Sequence, residues 1–327
     1  MTSINRGHAI GRSLATLAAA AWLWPAASST VDAQSRRPPL DAGGATAEQT
    51  IVFGGRQRSY LVHDFSRGKK APAVVVLHGG GGNAENAVNM TGFDRVAARE
   101  GLIAVYPNGT AGRAGGRLLT WNAGHCCAAA MEGNVDDVGF VAALIDTLVA
   151  AGRADASRIY VTGMSNGGMM THRLGRELSL KIAAIAPVVG AVFGDERPPA
   201  APVPAFVIVG AEDETVPGAG GSLQVRAMLG GMTAASRAVA PAIDQATYWA
   251  RANGCGEPTR SRTTASSVTE WRNCASGAPV VFHSVAGNGH AWPGGKPGRA
   301  AAAQPAQAFD ASAEMWAFFR TQTRPQR

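Results

Sequence analysis

A short apolar run, Ile159-Tyr160-Val161-Thr162, passes directly into Gly163-Met164-Ser165-Asn166-Gly167, and the helix-compatible residues 167–178 follow. A serine between two glycines, with a strand before and a helix after, fits a turn too sharp to accept a Cβ at either glycine. Such a turn lifts Ser165 Oγ clear of a sheet edge and sets it over a helix N-terminus. The bare five-residue pattern recurs by chance, and the strand-then-helix setting is what gives it meaning. A hydroxyl held in this way suits nucleophilic chemistry.

The rest of the chain supplies an alternating pattern around this turn. Residues 49–53 and 59–65 flank Gly54-Gly55 and read as a β-hairpin. Apolar runs at 73–77, 102–106, 159–162, 183–189, 205–209 and 280–285 read as buried parallel strands. Helix-compatible stretches lie at 92–100, 138–151, 167–178, 243–253 and 309–320. An antiparallel hairpin followed by alternating strands and helices implies a mostly parallel sheet with helices on both faces. The expectation is an α/β-hydrolase fold: a mostly parallel eight-stranded sheet, an N-terminal hairpin, and the serine turn after the fifth strand.

The first 33 residues do not read as part of that fold. Arg6 and Arg12 precede an apolar stretch, 14–24, and Val31-Asp32-Ala33 offers a small-x-small cleavage point. This pattern predicts a signal peptide and a secreted protein, extracellular or periplasmic. The apolar stretch falls short of the ~20 residues of a membrane span. A Pro/Gly/Ala-rich leader at 34–48, one catalytic domain at 49–322 and a tail at 323–327 complete the expected organisation. The formal net charge of +7 is scattered, with no basic run interleaved with aromatics, so neither nucleic acid nor a membrane is expected as partner. An acidic polymer attracted by that charge is the weaker substrate reading; the sequence leaves the oligomeric state open.

Export favours disulfides among the four cysteines. Cys255 and Cys274 lie one loop apart and are expected to join. Cys126 and Cys127 are neighbours that either form a vicinal bridge or remain thiols, and cross-pairing of the two sets stays open. No spacing suits zinc and no H-E-x-x-H occurs, so neither metal nor cofactor is expected.

In this fold the partners of the serine follow it as acid and then histidine. Only His283 and His290 come late enough; His283 lies inside a strand, whereas His290 sits in the loop after it, where such crevices open. Asp213, in the loop after strand 205–209, is the expected acid, with Asp195 as its competitor and Glu212 and Glu214 as solvated rim. The acid would accept a bond from the imidazole and fix its tautomer. His78-Gly79-Gly80-Gly81-Gly82 follows the third strand and suggests an oxyanion loop, with Gly80 preferred over Gly81 as donor. The Asn166 amide is the expected second donor. No Gly-Lys-Ser/Thr follows the glycines, which removes the phosphate-cradle alternative. Trp121 and Trp292 are candidate substrate-binding walls, against the plainer reading that they only pack. Trp249 and Trp316 read as core, and Asp136-Asp137 as a helix cap.

Several segments, taken together, carry a family resemblance. They are Leu77-His78-Gly79-Gly80, Trp121-Asn122-Ala123-Gly124, Val135-Asp136-Asp137-Val138-Gly139-Phe140, Gly163-Met164-Ser165-Asn166-Gly167-Gly168, Asn253-Gly254-Cys255 and Gly289-His290-Ala291-Trp292-Pro293-Gly294. The chain resembles the secreted polyhydroxybutyrate depolymerase-like esterases, a group shared with bacterial feruloyl and acetylxylan esterases. The resemblance implies a serine esterase without metal or cofactor, acting on hydroxyalkanoate or feruloyl and acetyl polysaccharide esters through Ser165, Asp213 and His290. It supports Gly80 and Asn166 as oxyanion donors and a Cys255–Cys274 bridge. The chain departs from relatives at Val209-Gly210-Ala211-Glu212-Asp213, where they commonly read His-Gly-Thr-x-Asp. It also carries a long Gly-rich segment, 218–240, that reads as a lid or substrate loop.

Overall fold

Strand residues that alternate between two apolar faces organise this chain into layers. The computed structural model describes residues 47–111, 118–223, 235–298 and 303–324. The expected signal peptide, nearly all of the leader, residues 224–234 of the Gly-rich segment and the last three residues lie outside them. In chain order the elements are β1 (Ala47–Phe53), β2 (Arg56–Asp64), β3 (Ala71–Leu77), α1 (Ala84–Thr91), α2 (Asp94–Glu100) and β4 (Ile103–Pro107). A small pair, β5 (Thr110–Ala111) and β6 (Leu119–Thr120), precedes α3 (Ala128–Glu132), α4 (Asp137–Ala150), β7 (Ala154–Met164) and α5 (Asn166–Glu177). Then come β8 (Ala184–Val188), β9 (Ala205–Gly210), α6 (Ala242–Ala252), β10 (Thr259–Arg262), β11 (Ser266–Trp271), β12 (Val280–Val285) and α7 (Ala311–Phe319).

The main sheet has the order β1-β2-β4-β3-β7-β8-β9-β12-β11-β10. From β4 to β12 every pairing is parallel, and antiparallel strands extend the sheet at both ends. Among the described residues the sheet therefore has ten strands, not the expected eight. The two extra strands are β10 and β11, which follow α6. β10 reads Thr-Arg-Ser-Arg and is exposed throughout, so it has no apolar run to announce it. A short charged edge strand of this kind resists pairing with other chains. The helix expected at 92–100 is α2, and α1 before it is a helix the sequence did not announce. Gly92, at φ 56°, closes α1, which Asn83 opens by accepting the Asn86 N–H at 2.8 Å.

The strand faces feed two cores. Ala73, Val75 and Leu77 of β3, with Ile103, Val105, Ile159 and Val161, pack beneath α4, α5 and α6 through Phe140, Leu144, Met170, Leu174 and Trp249. Val74 and Val76, with Ala104, Tyr106 and Tyr160, pack under α1, α2 and α7 through Met90, Val96, Met315, Trp316 and Phe319. This period-two division is why the strands read as uninterrupted apolar runs. Trp249 and Trp316 are core residues, as expected. Cys255 is bonded to Cys274 and Cys126 to Cys127, without cross-pairing.

Candidate active site

β7 ends in the serine turn. Ser165 has φ 57° and ψ −120°, a conformation that side-chain-bearing residues rarely hold without support. Its N–H donates to the Val188 carbonyl of β8 at 2.9 Å, and α5 starts at the next residue. The flanking glycines are required by close approach. A Cβ on Gly163 would lie 2.6 Å from the Gly167 carbonyl oxygen, and one on Gly167 would lie 2.5 Å from that of His78.

The acid and histidine arrive from neighbouring strands. β9 and β12 are parallel partners, so the loops leaving their C-terminal ends emerge side by side. Backbone bonds stitch the two loops together, from Ala211 N–H to the Val285 carbonyl at 2.9 Å and from Glu212 N–H to the Asn288 carbonyl at 3.0 Å. Ser165 Oγ–H then donates to His290 Nε2 at 2.8 Å, and His290 Nδ1–H donates to Asp213 Oδ2 at 2.8 Å. The other Asp213 oxygen accepts the N–H groups of Thr215 and Val216, both at 2.9 Å, which fixes the carboxylate plane. Asn288, fully buried, donates to the Gly289 and Ala291 carbonyls and accepts the Ala306 N–H, so the loop carrying His290 is braced from within.

The competing residues lie elsewhere. His283 bonds Ser266 Oγ at 3.0 Å from within β12, and Asp195 pairs with His125 at 3.1 Å and Arg237 at 2.6 Å. Glu212 and Glu214 are exposed.

The glycine loop faces the serine across a cleft of about 320 Å³ lined by Gly79 to Gly82, Met90, Met164, Ser165, His290 and Trp292, among others. Gly81 N–H is committed to the Leu119 carbonyl at 2.8 Å, whereas Gly80 N–H and Asn166 N–H have no acceptor among the described residues. His78 holds this loop: its Nδ1–H donates to the Gly79 carbonyl at 2.8 Å and its Nε2 accepts the Gly109 N–H at 3.0 Å. Burial brings its pKa down to about 4, which keeps the ring in the neutral form this pairing needs.

Trp121 does not wall the cleft. It is fully buried, and its indole N–H donates to the His78 carbonyl at 3.0 Å. Its backbone grips the Asn166 side chain, which accepts the Trp121 N–H at 2.7 Å and donates to the Trp121 carbonyl at 2.9 Å. The Trp121-Asn122 segment thus supports both free N–H groups from below. Trp292 is among the residues that line the cleft, but it is almost wholly buried and its indole N–H is anchored on Ser312 at 3.1 Å. Asp136 caps α4 by accepting the Gly139 N–H, but its neighbour Asp137 does not. Asp137 is buried against Arg58 at 2.7 Å and holds the Asn122 N–H at 2.8 Å. His78 and Asp137 are the positioning groups that the sequence did not single out.

Two buried histidines and one half-buried one give the fold an acid limit. His78, His172 and His283 are each pulled down to about 4, mainly by burial, whereas an unfolded histidine titrates near 6.5. Between those values unfolding takes up a proton at each. Their contribution is therefore complete above about pH 6.5 and is lost as pH falls toward 4. Urea unfolding is expected to show a lower midpoint at pH 5 than at pH 7, with an uptake of roughly two to three protons per molecule. An unchanged midpoint would refute the neutral buried state.

The fold and a serine turn after its fifth main-sheet strand define an α/β-hydrolase. Residues 60–255 match the family model described as Esterase PHB depolymerase. The putative esterase NocK of Nocardia uniformis subsp. tsuyamanensis is 31% identical over 275 residues, covering 80% of this chain and 77% of NocK. Feruloyl esterase B of Piromyces equi is 30% identical over 240 residues, which are 72% of this chain and 42% of that protein. Among solved structures, an acetyl xylan esterase from Aspergillus awamori shares the fold with a TM-score of 0.53 at 14% identity, over 75% of this chain and 94% of that one. The chain belongs to the PHB depolymerase esterase family. It is a serine esterase, a carboxylic ester hydrolase.

Proposed function

We propose that Ser165, His290 and Asp213 carry out ester hydrolysis in two half-reactions through an acyl-enzyme. His290 Nε2 takes the Ser165 proton as Oγ attacks the ester carbonyl, and the resulting oxyanion rests on the Gly80 and Asn166 N–H groups. The imidazolium, steadied by Asp213, gives its proton to the departing alcohol oxygen and leaves an acyl-serine. A water then loses its proton to the same nitrogen and attacks the acyl carbon. Collapse of that second intermediate releases the acid and returns the proton to Ser165. The observation that carries this reading is the imidazole bridging hydroxyl and carboxylate at 2.8 Å on both sides.

The substrate reading is an ester of ferulate or acetate on a polysaccharide fragment, or a short hydroxyalkanoate oligoester. The names of the fungal relatives support the first and the family description the second. The charged and apolar blocks at residues 1–33 support export, with residues 49–322 as one catalytic domain. A fluorophosphonate probe is expected to label Ser165, as mapped by peptide mass spectrometry. In parallel, methyl ferulate, an acetylated xylo-oligosaccharide and a hydroxybutyrate trimer should be assayed side by side, with turnover expected for at least one. Cleavage of a p-nitrophenyl ester but of none of the three would discard the substrate reading. An unlabelled Ser165 in folded protein would discard the mechanism.

A further inference from the structure

The cleft walls are electrostatically one-sided. Apart from His290, the lining residues among the described ones are neutral except Lys296, and no carboxylate is among them. Lys296 forms no ion pair among the described residues, and its side chain is exposed at the cleft rim.

An ordinary surface lysine sits on a solvated face and serves solubility. The position of Lys296 is more defined than that, because the backbone beneath it is fastened at several points. Lys296 N–H donates to the Met90 carbonyl at the end of α1 at 2.9 Å, and two residues on, the Gly298 carbonyl accepts from Asn86 Nδ2 at 2.9 Å. On the other side, Gly294 N–H is held by the Ala306 carbonyl at 2.9 Å and Gly295 N–H by that of Trp292 at 3.0 Å. Met90, Asn86 and Trp292 themselves line the cleft. The segment is thus pinned to the cleft wall, and it presents an ammonium without an ion-pair partner among the described residues to whatever occupies the space in front of Ser165.

We infer that Lys296 is a specificity residue that pairs with a carboxylate carried by the ester, so that half-esters and hydroxy-acid oligomers with a free acid end are preferred over fully neutral esters. The inference rests on the esterase reading of the same cleft. The carboxylate belongs either to the acyl part or to the alcohol part of the substrate. A partly exposed pair of this kind is worth about fivefold in kcat/KM at low salt and is screened near 1 M salt.

Two matched pairs test it. For the acyl side, p-nitrophenyl hemiglutarate is compared with p-nitrophenyl valerate; for the alcohol side, β-butyryloxybutyrate is compared with pent-2-yl butyrate, followed by pH-stat. In at least one pair the charged member should be favoured by about fivefold at low ionic strength. That ratio should fall to about one in Lys296→Ala, invert in Lys296→Glu, and return in Lys296→Arg. Lys181→Ala, which removes a lysine already paired with Asp146, should leave the ratio intact and so exclude a net-charge effect. Absence of a preference in both pairs, or a preference that survives Lys296→Ala, would overturn the inference while ordinary turnover of the neutral esters upheld the esterase reading. Failure to cleave any of the four, with Ser165 unlabelled by fluorophosphonate, would overturn both.

Discussion

Replacing Ser165 with alanine is expected to lower kcat/KM on any p-nitrophenyl ester by at least about 10⁴-fold without loss of the folded state. The methyl group fits wherever the hydroxymethyl does, and the N–H that holds the turn belongs to the backbone. What disappears is the atom proposed to form the acyl bond. The two free N–H groups still polarise a bound carbonyl, which leaves a residual rate above that in water but nothing near the parent. His290→Ala should cost about as much, because in the proposed mechanism the imidazole is the base that makes the hydroxyl nucleophilic. Since the two act on one proton, the double variant should be no worse than either single one. Asp213→Asn tests the third member separately. The carboxamide keeps the shape but permits the wrong imidazole tautomer, and about 10⁴-fold should again be lost. Steady-state kinetics with circular dichroism as the folding control decides the matter. A Ser165→Ala protein that kept a tenth of the parent rate would remove this serine from the mechanism.

The convergence of these three residues was legible in the sequence because each sits where a buried strand ends. Apolar runs announce β7, β9 and β12, and parallel pairing brings the loops after β9 and β12 together on the side where Ser165 emerges. β10 and β11 were not legible for the opposite reason: β10 is an exposed edge with no apolar run, and β11 buries only Ser266, Val268 and Trp271 among polar neighbours. Trp121 misled for a different cause. A tryptophan in a loop beside glycines reads equally well as a cleft wall or as a strut, and only its bond to the His78 carbonyl decides between them. Asp137 was hidden by its neighbour: an acidic pair ahead of a helix satisfies a cap with one carboxylate and leaves the role of the other unstated. The signal that could have found it is Arg58, a charge in the strand that carries the buried run Tyr60-Leu61-Val62.

That ion pair carries the second large expectation. Arg58 and Asp137 are almost wholly buried, and the guanidinium also donates to the Asn108 carbonyl at 3.2 Å while lying 4.0 Å from the Phe140 ring centre. Burial raises the Asp137 pKa, with Arg58 and the Asn122 N–H opposing that shift. Removing the cation while keeping its bulk, as in Arg58→Met, strands a carboxylate in the core. The expected cost is about 3–5 kcal/mol, or roughly 10 °C in the thermal midpoint. The stranded carboxyl should titrate well above its unfolded value. The folded variant therefore binds the extra proton, and its stability is lost as pH rises through that raised value. The penalty relative to the parent should accordingly be larger at pH 8 than at pH 5. Arg58→Met combined with Asp137→Leu should recover much of the loss, because an apolar pair of similar volume needs no counter-charge. Activity should not recover with it. Asp137 also holds Asn122, and Asn122 adjoins the tryptophan whose backbone fixes Asn166 and whose indole fixes His78. The double variant is therefore expected to fold yet turn over slowly, with the loss in kcat rather than KM, as befits a misplaced oxyanion donor. Full activity in a stable double variant would show that the segment from Trp121 to Asn122 holds its place without the buried carboxylate, and the coupling of core to oxyanion loop would then fail.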